Sequence, residues 1–286
     1  MPLLFIVGNM KYRTLFIGLV SYFIFVNVVI IALMIPISGF DKVKLEIIIS
    51  ELFMPKNIWL GVLTQMIQFL GVVLCVNFFF KREVKKYNVS LLSFVNGVCI
   101  GILPIGVVMF VLTSLDIYNI SSHNIDVYYL IGGAFLCLLI SLTEEFLIRG
   151  AVYSYLEKYA GKKYYPLIIS SLIFALFHVF SPDFSIYYIL ELIIAGVFLG
   201  SFIYRNQSIY MSIGAHFILN FTVLFICSFS EISLKTVGVF QFELKNPNDM
   251  IMFVSNKYIL SFLTLIMYGV TSFLLLSKFN LVRSKK

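Results

Sequence analysis

Along the chain, long uninterrupted runs of apolar residues alternate with short polar segments, and the runs have the length a bilayer demands. A hydrocarbon core of about 30 Å needs about 20 helical residues to cross it, and it holds no water to satisfy backbone groups. Each run must therefore close its own hydrogen bonds as an α-helix. The pattern predicts eight spans: Thr14 to Ile37, Ile58 to Phe80, Leu91 to Leu112, Tyr128 to about Ile148, Pro166 to Phe180, Ile186 to Tyr204, Ile209 to Phe229 and Tyr258 to Leu276. The fifth is short. Continuous runs are not the alternating segments of a transmembrane β-barrel. The predicted fold class is all-α, a polytopic membrane helical bundle of about eight transmembrane helices, forming a single membrane domain over residues 1–286.

Composition sharpens this. With 60% hydrophobic and 12% charged residues and a mean hydropathy of +0.99, water cannot be the main solvent. A formal charge of +7 raises the question of nucleic acid, but the Lys and Arg residues sit between apolar runs rather than along one polar face. They read as topology signals, so the expected surroundings are a lipid bilayer and no nucleic-acid partner. With the N-terminus inside, fourteen Lys and Arg residues fall on the cytoplasmic side and six on the other, the latter all in two long loops. The short outer loops around Asp116 to Asp126 and around Asp183 carry none. A multi-pass cell-membrane protein with both termini cytoplasmic is expected. Lys11 and Arg13 precede the first run in the manner of a signal peptide, but that run is too long and no small-x-small site follows, so a retained first helix is expected. Cys75, Cys99, Cys137 and Cys227 all fall in apolar runs without a CxxC pair and read as packing residues.

Ionisable groups inside spans are costly and mark function by default. Span four ends in Leu142-Thr143-Glu144-Glu145-Phe146-Leu147-Ile148-Arg149-Gly150, span five contains Phe174-Ala175-Leu176-Phe177-His178, and span seven contains His216-Phe217-Ile218-Leu219-Asn220. Glu145 and Arg149 are four apart and share a helix face, while Glu144 is turned by about 100° from Glu145. One carboxylate is thus committed to a partner and the other is free. His216 and Asn220 are also four apart, and two donors on one face suit an oxyanion. Gln65, Gln68, Asn77 and Asn96 read as interhelical hydrogen-bonding groups, and Glu191 as a paired or neutral acid near the site.

In order and spacing, these segments resemble the CAAX protease and bacteriocin-processing family (the CPBP or Abi family), which includes the type II CAAX prenyl endopeptidases. The family pattern EExxxR, FxxxH, HxxxN is met by Glu144-Glu145-Phe-Leu-Ile-Arg149, Phe174-Ala-Leu-Phe-His178 and His216-Phe-Ile-Leu-Asn220, and Gly196-Val197-Phe198-Leu199-Gly200 is similar to its glycine-containing helix. The resemblance covers a catalytic core at 128–227. It implies an intramembrane endopeptidase, a hydrolase cleaving small or membrane-associated peptides with a glutamate-activated water. Glu144 and His178 would polarise the water, His216 and Asn220 would stabilise the oxyanion, and Glu145, Arg149 and Phe174 would support the site. It implies no cofactor, a peptide or membrane-protein substrate, and in bacteria a link to peptide processing and immunity; a composition rich in Ile, Lys, Asn, Tyr and Phe suggests such a source, with an AT-rich genome.

Rival readings use the same residues. A carboxylate and two histidines match the ligand types of hydrolytic zinc, although no HExxH is present. A catalytically idle immunity or regulatory protein would keep the fold, and a transporter would show inverted repeats and broken helices, neither of which the sequence displays. One feature opposes catalysis: on the boundaries above, Glu144 and His178 differ in depth by roughly 12 Å at 1.5 Å per helical residue.

Overall fold

The computed structural model of the chain describes residues 10–39, 41–80, 89–116, 118–160, 164–179, 185–206, 208–229, 237–245, 263–264 and 266–277. Each of the eight apolar segments contains a helix among the described residues. The order is α1 (Met10–Ser38), α2 (Lys42–Ser50), α3 (Ile58–Cys75, running on as a π-helical turn Val76–Phe80), α4 (Leu91–Ser114), β1 (Tyr118–Ser122) and α5 (Val127–Glu145), continued through a π-helical stretch Phe146–Tyr153 into α6 (Ser154–Ala160). Then come α7 (Tyr165–Leu176), α8 (Ile186–Asn206), α9 (Ile209–Phe221, with a π-helical turn Thr222–Ile226), β2 (Cys227–Phe229), β3 (Phe240–Leu244) and α10 (Ile266–Ser277).

Among the described residues, six helices are long and apolar enough to cross a membrane, in the ranges Arg13–Ser38, Pro55–Phe80, Leu91–Ser114, Val127–Tyr159, Ile186–Arg205 and Ile209–Ile226. The other two apolar helices among the described residues, α7 and α10, are shorter. The seventh predicted span stops at Ile226, because the chain turns at Cys227 into a strand.

That strand belongs to a small three-stranded sheet of order β1-β3-β2, in which Tyr118 to Ser122 pair antiparallel with Leu244 to Phe240 and Cys227 to Phe229 pair parallel with Phe240 to Phe242. The sheet joins the α4–α5 loop to the segment after α9. Tyr129 ties in a third loop, since its hydroxyl donates to the Phe53 carbonyl at 2.9 Å and accepts from the Val237 amide at 3.2 Å. Three of the four loops that the charge pattern assigns to the outer side therefore meet at one end of the bundle. The Lys81 to Lys86 cluster and the Lys278 to Lys286 tail, which dominate the predicted cytoplasmic charge, lie outside the described residues.

The largest correction concerns depth. Span four does not stop near Ile148; it runs as one 33-residue helix, Val127–Tyr159, started by Asp126, whose side chain accepts the Tyr128 amide. Arg149, Ser154, Glu157 and Lys158 make the second half look like a loop in sequence, yet residues 147–156 are buried all round, Arg149 and Ser154 included. Helix α7 then returns from the same end of the bundle. Counted from that end, Glu144 lies about 22 Å from Tyr159 and His178 about 20 Å from Tyr165, at 1.5 Å per residue. The depth conflict disappears.

Small residues bring the site helices together. A Cβ added to Gly101 of α4 would lie 2.7 Å from Ala215 Cα, and one added to Gly97 or Gly214 would run into the Met211 or Phe94 carbonyl. Without such side chains α4 and α9 pack backbone to backbone, the closeness that small-xxx-small patterns give membrane helices. This contact fixes the face of α9 that carries Ser212 and His216.

Candidate active site

Glu145 is fully buried, and its carboxylate is saturated. Arg149 Nη1, one turn along, donates to Oε1 at 3.0 Å; His216 Nδ1 lies 2.9 Å from the same oxygen; Ser212 donates to Oε2 at 2.5 Å. Arg149, equally buried, sends Nη2 to the Gly196 carbonyl of α8 at 2.9 Å and stacks its guanidinium 4.8 Å from the centre of the Phe174 ring. A Cβ on Gly196 would lie 2.9 Å from Ser171 Cβ, so glycine lets α8 approach α7 at this level. One arginine and one glutamate thus tie together α5, α8 and α9, with Phe174 of α7 on the guanidinium face. Such a charge pair survives burial only because its remaining hydrogen-bonding capacity is largely met.

Glu144, the next residue, faces elsewhere. Its side chain is 27% exposed, with Oε1 at 4.0 Å from His178 Nε2 and Oε2 at 3.7 Å from His216 Nε2. Oε2 is buried and accepts no hydrogen bond among the described residues. Both imidazoles are oriented through their other nitrogen. His178 Nδ1 lies 2.9 Å from the Phe174 carbonyl, and His216 Nδ1 faces Glu145. A carbonyl and a carboxylate only accept, so each Nδ1 carries a proton, and each ring turns its Nε2 towards Glu144. The spacing of FxxxH now has a cause: the carbonyl of Phe174 fixes the ring of His178 one turn later, while its side chain lies 6.1 Å, edge on, from the His216 ring.

Glu144 and His178 open onto a cavity of about 230 Å³. Its far wall is not made by the motif-bearing helices. Tyr22, Phe23, Val26, Asn27 and Ile30 of α1 and Gln68 of α3 complete it. Neither Tyr22 nor Asn27 was singled out by sequence pattern, and Gln68 read as an interhelical hydrogen-bonding group; none stands in a motif, and their sequence distance from Glu144 hides the contact. Ser212 also escaped, being one serine among several in apolar runs, although its place one turn before His216 is a usable signal.

The expected site residues therefore divide. Glu144, His178 and His216 converge, and Glu145, Arg149 and Phe174 form the network beneath them. Asn220 follows His216 by one turn on α9, half-buried, and does not line the cavity. Glu191 accepts a hydrogen bond from Thr264 at 2.5 Å. Among the described residues, no group of three His, Cys, Asp or Glu side chains is arranged to hold a metal ion.

Residues 126–222 match the protein-family model described as type II CAAX prenyl endopeptidase Rce1-like. The match runs from the cap of α5 to the end of α9, under half of the chain, and includes all three motifs. It is consistent with the CPBP resemblance. No curated protein matches the chain.

Proposed function

We propose that this membrane protein is an endopeptidase in which Glu144 activates a water for attack on a peptide bond. The observation that carries the reading is the contrast between adjacent carboxylates: Glu145 is saturated by three partners, whereas Glu144 turns one oxygen towards each of two oriented imidazoles and its buried Oε2 is unsatisfied among the described residues. At 3.7 to 4.0 Å the imidazole nitrogens are too far from Glu144 for direct hydrogen bonds and well placed to share a water with it. The water donates one proton to Glu144 and the other to the His178 Nε2 lone pair, which turns its oxygen towards the scissile carbonyl. As the C–O bond forms, Glu144 takes the proton; it then delivers it to the leaving amine as the C–N bond breaks.

His216 suits the oxyanion. When its ring is protonated, Nδ1–H stays on Glu145 and Nε2–H is free for the developing charge, and the cluster of Glu144, Glu145, Arg149 and His216 becomes neutral overall. Asn220, on the same helix, is the second donor of this reading. The catalytic residues all come from the 128–227 core, within a single membrane domain completed by α1 and α3. Both termini are placed in the cytoplasm by the charge pattern.

The test is cleavage of a quenched-fluorescent peptide library by the full chain in proteoliposomes, with Glu144→Gln as the comparison. Loss of cleavage with an unchanged melting temperature supports the reading. Equal cleavage by both proteins overturns it.

One observation favours a metal as a second reading. Glu144, His178 and His216 are ligand types of hydrolytic zinc, and each imidazole is anchored through Nδ1 in the way metal-binding histidines usually are. Chelation separates the two chemistries.

A further inference from the structure

The cavity beside Glu144 carries two carboxamides that the bundle does not use. Asn27 lies near the middle of α1, 14 residues after Arg13 and 11 before Ser38, on an exposed face of that span. Its Nδ2 donates to the Phe23 carbonyl of its own helix at 2.7 Å, and its Oδ1 accepts nothing among the described residues. Gln68, half-buried on α3, forms no hydrogen bond among the described residues. Both line the cavity with Glu144 and His178. The rest of this wall is apolar: Tyr22, Phe23, Val26, Ile30, Phe177.

An exposed amide midway along a span, with its donor on its own helix and its acceptor unspent, is only half compensated. Polar groups at that depth normally turn inward and find partners. Phe23, 41% exposed, also lines the cavity, so the cavity opens beside α1 towards the bilayer. What would reach it from there is a peptide that has left its helical form at the scissile bond. Such a peptide has exposed its own N–H and C=O groups where no water can serve them. A carboxamide offers both an acceptor and donors, and so answers either group.

We propose that Asn27 and Gln68 bind the backbone of an extended segment of a membrane-embedded peptide, admitted laterally beside α1, with its apolar side chains against Tyr22, Phe23 and Phe177. Both are positioning residues. The inference deepens the reading of Glu144 as the water-activating group and rests on it for the identity of the bond being held.

The experiment uses photo-crosslinking in bilayers, so that binding is read without turnover. The full-length chain with Glu144→Gln is reconstituted with p-benzoylphenylalanine in place of Phe23, or in place of Phe16, which is 60% exposed on the same helix but outside the cavity. The probe is a synthetic leucine-alanine peptide of about 20 residues, long enough to span, with a central Gly-Pro pair that frees backbone groups. A water-soluble peptide with the same central residues is the second arm. Strong crosslinking of the embedded probe at position 23 and little at 16 is expected. Adding Asn27→Leu or Gln68→Met should lower the yield at 23 about tenfold each, the loss for one hydrogen bond of roughly 1.4 kcal/mol. Asn27→Leu faces lipid and should melt no lower than its parent, so its loss of crosslinking is not loss of fold. Equal yields at 16 and 23, preference for the soluble peptide, or no effect of either carboxamide substitution overturns the proposal. If crosslinking holds while the protein with Glu144 restored never cleaves, the peptide site stands and the proteolytic reading falls.

Discussion

The two sides of helix α5 at the level of residues 144 and 145 solve opposite problems. On one side, Glu145 and Arg149 are wholly buried and held by α8 and α9, with each charge answered by a partner. On the other, Glu144 keeps an unanswered oxygen beside a cavity walled by α1 and α3. A rotation of about 100° between successive residues separates the regimes. On the proposed reading, the difference teaches that a reactive carboxylate in a membrane depends on a neighbour that is inert: the saturated pair locks the backbone and one imidazole, so that the other carboxylate can remain unsatisfied without the helix shifting to relieve it. His216 is where the two regimes touch, with one ring nitrogen on each side.

The comparison breaks if the two glutamates respond alike to the same isosteric change. Glu144→Gln should reduce kcat by about 10² to 10⁴, the range for removing a general base, while leaving the detergent melting temperature within error. Glu145→Gln should instead destabilise the protein by about 3 to 5 kcal/mol, because it strands the buried Arg149 charge. Equilibrium unfolding in mixed micelles measures this. Adding Arg149→Met to that variant should recover most of the loss, since no unpaired charge remains. A stable but inactive Glu145→Gln would exchange the proposed roles.

Smaller effects sharpen the division. Ser212→Ala removes one hydrogen bond to the Glu145 carboxylate, for a loss of roughly 1.5 to 3 kcal/mol, and its turnover at saturating substrate should fall less than its stability. Melting curves and kcat on the same preparation check that ordering. The smallest expected effect is none at all: cleavage should survive a chelator, and loss in chelator restored by added zinc would transfer Glu144, His178 and His216 to a metal centre.

Much of this was legible in sequence for physical reasons. Apolar runs of membrane length leave helix as the available backbone solution, and residues four apart must share a face, so the Glu145–Arg149 pair follows from spacing alone. Legibility ended where partners came from distant helices. Nothing local to Tyr22, Asn27 or Gln68 records that Glu144 lies across a cavity from them. The far half of the α5–α6 helix was hidden because its polar residues, Arg149 and Ser154 buried among them, resemble a loop to a hydropathy window, and that misplaced end alone created the apparent depth conflict. The strand Phe240-Gln241-Phe242-Glu243-Leu244 did carry a period-two alternation, a signal masked by its place in a polar loop.

Helix α7 has 12 residues, about 18 Å at 1.5 Å per residue, against a hydrocarbon core of about 30 Å. Ile168, Leu172 and Leu176, exposed along one face, end where the helix ends. In this sector the protein offers a shorter apolar belt than the long helices offer elsewhere, so the surrounding leaflet must thin or bend to meet it, at a cost that rises with each ångström of mismatch. By length, α7 suits a thinner hydrocarbon layer than the six long helices do. Lengthening the acyl chains of the host bilayer should strain the sector that holds His178 before it strains the rest of the bundle, which makes lipid thickness a control variable for the site.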